Sequence, residues 1–189
     1  VVAFDLASCH REWQHKTKIL TNVHFFLSVS FRSPVVSGYF AIAAARHGHL
    51  DIFAETMANI IDFSEQQNTF AEYYEPDKSF ERHRSRQLLS DAGYLGMVYK
   101  GLFGIDFQKR TIEFSPNKVE GKDGVLKTSE TISLRNVKYR NAILDIFVTG
   151  FGTNVTSFKL NGELQELPKI DSWLTGRQKL EIEVAPSTS

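Results

Sequence analysis

Two periods divide the chain. From Ser37 to about Leu102 the apolar residues recur at steps of three and four, and after Ile105 they alternate. Tyr39-Phe40-Ala41-Ile42-Ala43-Ala44-Ala45 is alanine-rich and runs into Gly48, so it predicts a helix over 38–48. Asp51 is placed to cap a second helix over 51–63, with Phe53, Met57, Ile60 and Ile61 on one face. A third helix is expected over 86–101, carrying Leu88, Ala92, Leu95, Tyr99 and Leu102 at steps of four and three. The short connection at His47-Gly48-His49 favours an antiparallel hairpin between the first two helices. A long polar stretch, Glu65 to Arg86, separates the second helix from the third, and connections of that length inside a domain are usually functional.

Beyond Ile105 the segments are short and strand-like. Thr111-Ile112-Glu113-Phe114 and Thr131-Ile132-Ser133-Leu134 fit strands. So do the runs carrying Leu144, Ile146 and Val148 and, near the end, Leu180, Ile182 and Val184, with Glu181 and Glu183 facing the other way. Phe158 and Leu160 lead into Asn161-Gly162, a strong hairpin signal. Lys118 to Gly124 is polar and glycine-containing and reads as a turn or loop. The expected class is α+β: helices over 1–107, then an antiparallel β-sandwich over 108–189. Residues 1–30 have no decisive period, although Arg11–Leu20 fits a helix and Val23–Val29 an extended segment.

Composition narrows the function. Lysine and arginine total 22, as do aspartate and glutamate, so net charge offers no pull toward nucleic acid or an anionic membrane surface. No run reaches the ~18 apolar residues of a membrane span. Cys9 is the single cysteine, which excludes an intrachain disulfide and leaves the compartment open. The six histidines have no metal-ligand spacing. There is no GxSxG and no phosphate-cradling glycine loop. With 15 Phe, 6 Tyr and 2 Trp, aromatic faces are plentiful for a core and for a sugar site. The first residue is not Met, and the sequence reads as though it starts inside a larger polypeptide.

Three segments could carry chemistry. In Phe31-Arg32-Ser33-Pro34-Val35-Val36, an arginine beside a rigid turn can present a fork of donors to hydroxyls or a carboxylate. Alone, it reads better as a solvated arginine next to a helix-start proline. In Phe70-Ala71-Glu72-Tyr73-Tyr74-Glu75-Pro76, two carboxylates three apart are flanked by tyrosines. One of them could serve as a general base, and alone the segment reads better as an acidic surface loop. Arg82, Arg84 and Arg86 lie together before Leu88, where the helix dipole disfavours positive charge. That favours arginines paired with Glu72 or Glu75 over free ones.

The order of these segments resembles the C-terminal end of (α/α)6-barrel, or six-hairpin, glycosidases, with the closest likeness to glycoside hydrolase family 63, the processing α-glucosidase-like enzymes. Phe31-Arg32-Ser33-Pro34-Val35-Val36 is similar to that family's Trp-Arg-Gly-Pro-x-Trp segment. Glu72-Tyr73-Tyr74-Glu75-Pro76 is similar to its Glu-x-Tyr-x-Pro segment, and Leu89-Ser90-Asp91-Ala92 to its Trp-Ser-x-Ala segment. Val36 and Leu89 stand where the family has tryptophans. The resemblance implies that 1–107 is the last portion of a helical barrel whose other helices precede Val1. It implies inverting hydrolysis of an α-glycosidic bond in an oligosaccharide or glycoside. Glu72 would be the general base, Arg32 and Tyr74 would bind substrate, and the general acid would lie in the missing N-terminal part of the same enzyme. The chain alone would then be inactive. No metal or organic cofactor is required by this chemistry. A glycoside phosphorylase and a noncatalytic carbohydrate-binding or structural module are the rival readings. The motif's carboxylate leans toward the hydrolase, because phosphate needs no carboxylate base.

Overall fold

A computed structural model describes residues 33–72, 88–119 and 129–186 of the chain. Three α-helices lead: α1 (Pro34–Arg46), α2 (Leu50–Gln67) and α3 (Leu88–Gly96), the last continued by a π-helical segment, Met97–Leu102. Eight strands follow. A three-stranded antiparallel sheet has the order β1-β2-β7, formed by β1 (Ile105–Phe107), β2 (Thr111–Phe114) and β7 (Lys169–Asp171). A five-stranded sheet has the order β3-β4-β8-β5-β6, formed by β3 (Thr131–Tyr139), β4 (Ala142–Gly150), β8 (Gly176–Ala185), β5 (Asn154–Leu160) and β6 (Glu163–Leu164).

The first two helices begin earlier than the sequence suggests, at Pro34 and Leu50, and α2 runs on to Gln67. Pro34 is the first residue of α1, where its missing N–H would have had no partner and its fixed φ suits the helix. Gly48, at φ +76°, follows the helix end and reverses the chain. His49, not Asp51, occupies the N-cap of α2, and Asp51 lies inside the first turn, where its charge complements the helix dipole. The expected apolar face of α2 is inward: Phe53, Met57 and Ile60 are buried and Ile61 is half-buried.

The third helix keeps the later part of its expected face, with Leu102 buried and Tyr99 half-buried, and corrects the earlier part. Leu88, Ala92 and Leu95 are exposed, Leu88 to 83%, while Ser90, Gly93 and Met97 are buried. Packing distance explains the inversion. A Cβ on Gly93 would stand 2.6 Å from the Cα of Val35 and 2.8 Å from the carbonyl oxygen of Pro34, and one on Gly38 would collide with the backbone of Gly93. The two helices therefore approach backbone to backbone, and only a small-residue face permits that. The π-helical segment then places both Met97 and Leu102 inward. Gly101 leaves room there for the Phe53 ring, which a Cβ would approach to 2.7 Å.

One core runs from the helices into both sheets. It joins Ala41, Phe53 and Met97 to Ile105, Ile112 and Phe114 and onward to Leu144, Ile146, Leu180 and Ile182. Phe53, Met57 and Met97, which a helical hairpin cut from a barrel could leave uncovered, are all buried, with Tyr94 half-buried. Uncovered apolar positions exist at other residues: Val36 and Tyr39 on α1, and Leu88, Leu89 and Leu95 on α3.

The strands follow their alternation. Leu144, Ile146 and Val148 of β4 and Leu180, Ile182 and Val184 of β8 are all buried. Asn161 (φ +53°) and Gly162 (φ +88°) form the β5–β6 turn, both in the left-handed conformation such a hairpin needs. The sheet is not wholly antiparallel, however, because its central pair, β4 and β8, runs parallel over nine residue pairs from Ala142↔Gly176 to Gly150↔Val184. Alternation reports which face a residue takes and says nothing of strand direction. The two sheets touch through Phe114 against Phe158, centroids 5.6 Å apart, and Phe107 against Tyr139 at 5.5 Å.

Two polar devices brace the larger sheet. A bulge in β3 puts Asn136 at φ +58°, and its backbone N–H donates to Asp145 Oδ1 at 2.9 Å. Arg177 on β8 donates to Asp145 Oδ2 and to Asn136 Oδ1, so one network crosses three strands. The second device is Lys118. Expected in a polar loop, it is fully buried, its Nζ donating to the carbonyls of Glu130 (2.7 Å) and Gly150 (2.5 Å) and standing 3.6 Å above the Phe151 ring. Its backbone bridges Gly152.

Candidate functional site

The described parts of the three family-like segments, Ser33–Val36, Phe70–Glu72 and Leu89–Ala92, meet at the start of α3. Ser90 is buried to 1% exposure, and its hydroxyl donates to the backbone carbonyl of Ala71 at 2.8 Å across 19 residues of chain. Ala71 is itself buried and clusters with Phe63 of α2. Glu72, the next residue, is half-buried and is held close to α3 by this anchor. One turn further along α3, Gly93 receives Pro34 and Val35 of α1 in backbone contact. The first residues of α1, the approach to Glu72 and the Ser90 segment thus form one junction, although they are far apart in sequence. Arg32 and Tyr74 lie outside the described residues, as do Tyr73, Glu75, Arg82, Arg84 and Arg86.

A cavity of about 550 Å³ opens beside this junction. Ser64, Asn68, Thr69 and Phe70 line it from the end of α2, and Leu88 and Asp91 from the start of α3. Such a volume falls within the ~300–1,000 Å³ of small-molecule sites. Phe70 lies against Tyr94, centroids 4.9 Å apart and planes tilted by 31°. The Ser64 hydroxyl donates to the Ile61 carbonyl at 2.8 Å. Glu72 is not among the described residues that line the cavity, although it follows Phe70 by two positions.

A second, smaller cavity of about 220 Å³ is lined in part by Arg46, Lys100, Asp106 and Asn117. Arg46 and Lys100 stand in the last turns of α1 and of the π-helical segment, where helix carbonyls favour positive charge. Arg46 also contacts Asp106 at 3.5 Å, and Asn117 donates to the Gly101 carbonyl at 2.8 Å. The cations there already answer to the fold.

Among the described residues no three His, Cys, Asp or Glu side chains come together as a metal site, and no helix is long and apolar enough to cross a membrane. No protein-family model matches the chain, and no curated protein matches it in sequence. The cavity residues Ser64, Asn68 and Asp91 were not assigned a role from sequence. Asp91 does fall inside the Leu89-Ser90-Asp91-Ala92 segment, but its exposure to a cavity depends on where α2 ends, and no local spacing records that.

Proposed function

We propose that this chain is the C-terminal portion of a glycoside hydrolase of the (α/α)6-barrel kind, cleaving α-glycosidic bonds by inversion, with Glu72 as general base. The observation that carries this reading is the junction at α3. The described parts of three segments resembling one family's site motifs come together there, with Ser90 bonded to Ala71 and Gly93 seated against Pro34 and Val35. A general base needs a fixed position before it needs a tuned pKa, and the Ser90 anchor supplies one immediately before Glu72. Arg32 and Tyr74 would then contact the sugar from the two segments that flank the junction.

The outer surfaces of the helices support a longer chain. A helix apolar on several sides is usually buried on several sides. α1 presents Val36 and Tyr39 outward, and α3 presents Leu88, Leu89 and Leu95. In this reading further barrel helices cover them and bring the general acid, and the two sheets form a sandwich behind the barrel. The carboxyl pair would stand ~6.5–9.5 Å apart, leaving room for the attacking water.

A noncatalytic carbohydrate-binding or structural module is the second reading, favoured by the continuous core that links the helices to both sheets. Turnover separates the two. In the longer polypeptide, Glu72→Gln keeps shape and removes the base, so kcat should fall by at least ~10²-fold, while Glu75→Gln does much less. Near-normal turnover by Glu72→Gln would remove the catalytic assignment. Sugar release that depends on inorganic phosphate would make the enzyme a phosphorylase instead.

A further inference from the structure

We propose that the cavity between the end of α2 and the start of α3 is a subsite for the hydroxyl groups of a neutral pyranoside, with Asp91 as acceptor and Asn68 as donor. The inference rests on the glycoside reading above and adds to it the ligand class of a site and the residues that select it.

Unused hydrogen-bonding capacity is the starting point. Asp91 is half-buried and lines the cavity, and its carboxylate makes no hydrogen bond or ion pair among the described residues. Asn68, exposed at the rim, lines the same cavity, and its side chain makes no hydrogen bond among the described residues. The helix dipole accounts for an acid in the first turn of α3. It does not account for a carboxylate and a free amide sharing one concavity. Asn68 closes α2 in the left-handed conformation, φ +52°, which asparagine tolerates better than most residues and which leaves its amide uncommitted.

The lining among the described residues favours one class of ligand over others. An ionised carboxylate only accepts, while an amide offers two donors and an acceptor. Ser64 has committed its proton to Ile61, so its oxygen remains as an acceptor. Phe70, backed by Tyr94, adds an apolar surface. Sugar hydroxyls both donate and accept, and a pyranose ring has C–H faces for an aromatic wall. A phosphate would be repelled by Asp91. An ammonium ligand would satisfy Asp91 and leave the N–H pair of Asn68 without an acceptor.

The test is a titration of the isotopically labelled 189-residue chain with methyl α-glucoside, following backbone amide shifts. Shifts should cluster at Ser64, Asn68, Phe70 and Asp91. Asp91→Ala should weaken binding by about tenfold or more, as expected for losing a hydrogen bond to a charged group. Asp91→Asn, which keeps the shape, guards against misfolding and should weaken it in the same direction. Glu163→Gln, an exposed change on β6 away from the cavity, should bind as the parent does, and because binding is read without turnover this subsite can stand or fall separately from the catalytic role of Glu72. Shifts scattered elsewhere, or unchanged affinity in both Asp91 variants, would overturn the proposal. So would ethanolamine producing the clustered shifts in place of the glucoside.

Discussion

The strands β4 and β8 and the helices α1 and α3 use apolar residues in opposite ways. In the strands the branched side chains point inward, and Leu144, Ile146, Leu180 and Ile182 are all essentially inaccessible. In the helices small residues go inward at the contact, and larger ones such as Tyr39, Leu88 and Leu95 face out. The strand pair is held by side-chain volume, the helix pair by proximity of backbones. A surface built the second way keeps its larger apolar groups available for something other than its own core.

The sharpest way to break this contrast is in the sheet. Leu180→Ala should destabilise the chain by about 2–5 kcal/mol, since the site lies between two strands and cannot collapse freely. A denaturant titration measures it. A loss under about 1 kcal/mol would mean that the central strand pair is not the main source of cohesion.

In the helices the damaging change is an addition. Gly93→Ala gains up to about 1 kcal/mol of helix propensity. Its new methyl would meet the Val35 Cα and Pro34 oxygen, backbone atoms that cannot rotate away. Overpacking costs about 1–3 kcal/mol, so the net effect should be destabilising. Ser90→Ala, by removing the hydroxyl's bond to the Ala71 carbonyl, should cost about 0.5–1.5 kcal/mol and loosen the segment that carries Glu72.

The polar brace of the sheet is expected to respond to pH. The Asn136 backbone N–H and then the Arg177 guanidinium hold the Asp145 carboxyl below the usual aspartate range. A depressed folded-state value gives stability that is present above the unfolded pKa of ~3.9 and is lost as pH falls through the folded value. The melting temperatures of the parent and Asp145→Asn should therefore differ near neutrality and converge below about pH 4. A gap independent of pH would assign Asp145 a purely steric role.

The smallest effect tests the outward helix face. Leu88→Ser should change the stability of this chain by no more than about 0.5 kcal/mol, because Leu88 is largely solvated. In a longer polypeptide that covers α3, the same substitution should cost about 1.5–3 kcal/mol, the value of a buried leucine. Equal effects in both settings would remove the argument that further helices pack on this face.

Much of the fold is legible in the sequence where a single residue's geometry decides the outcome. Asn161-Gly162 announces its turn, Gly48 its helix end, and the alternation in β4 and β8 their buried faces. Legibility fails where the decision belongs to a partner element. α3 carries an apolar stripe of leucines, yet the neighbour that fills its contact is the backbone of α1, so the glycines go inside. Lys118 lies in a stretch that looks solvent-exposed, and partners distant in the chain, the carbonyls of Glu130 and Gly150 and the Phe151 ring among them, make its burial tolerable. The parallel pairing of β4 with β8 is likewise a matter of topology. The site is legible to the same extent: the motif segments can be picked out along the chain, but the Ser90–Ala71 bond and the cavity beside Asp91 exist only once α2 and α3 have docked.

The place of β8 also bears on how the molecule acquires its shape. Of the eight strands among the described residues it emerges last, yet it lies between β4 and β5. Before residues 176–185 leave the ribosome, the β3–β4 hairpin and the β5–β6 hairpin have no strand to join them. Closing contacts over such separations is slow, and chains emerge N-terminal end first. Until then the edges at β4 and β5 are open, and emergence of this one strand joins the two half-sheets together.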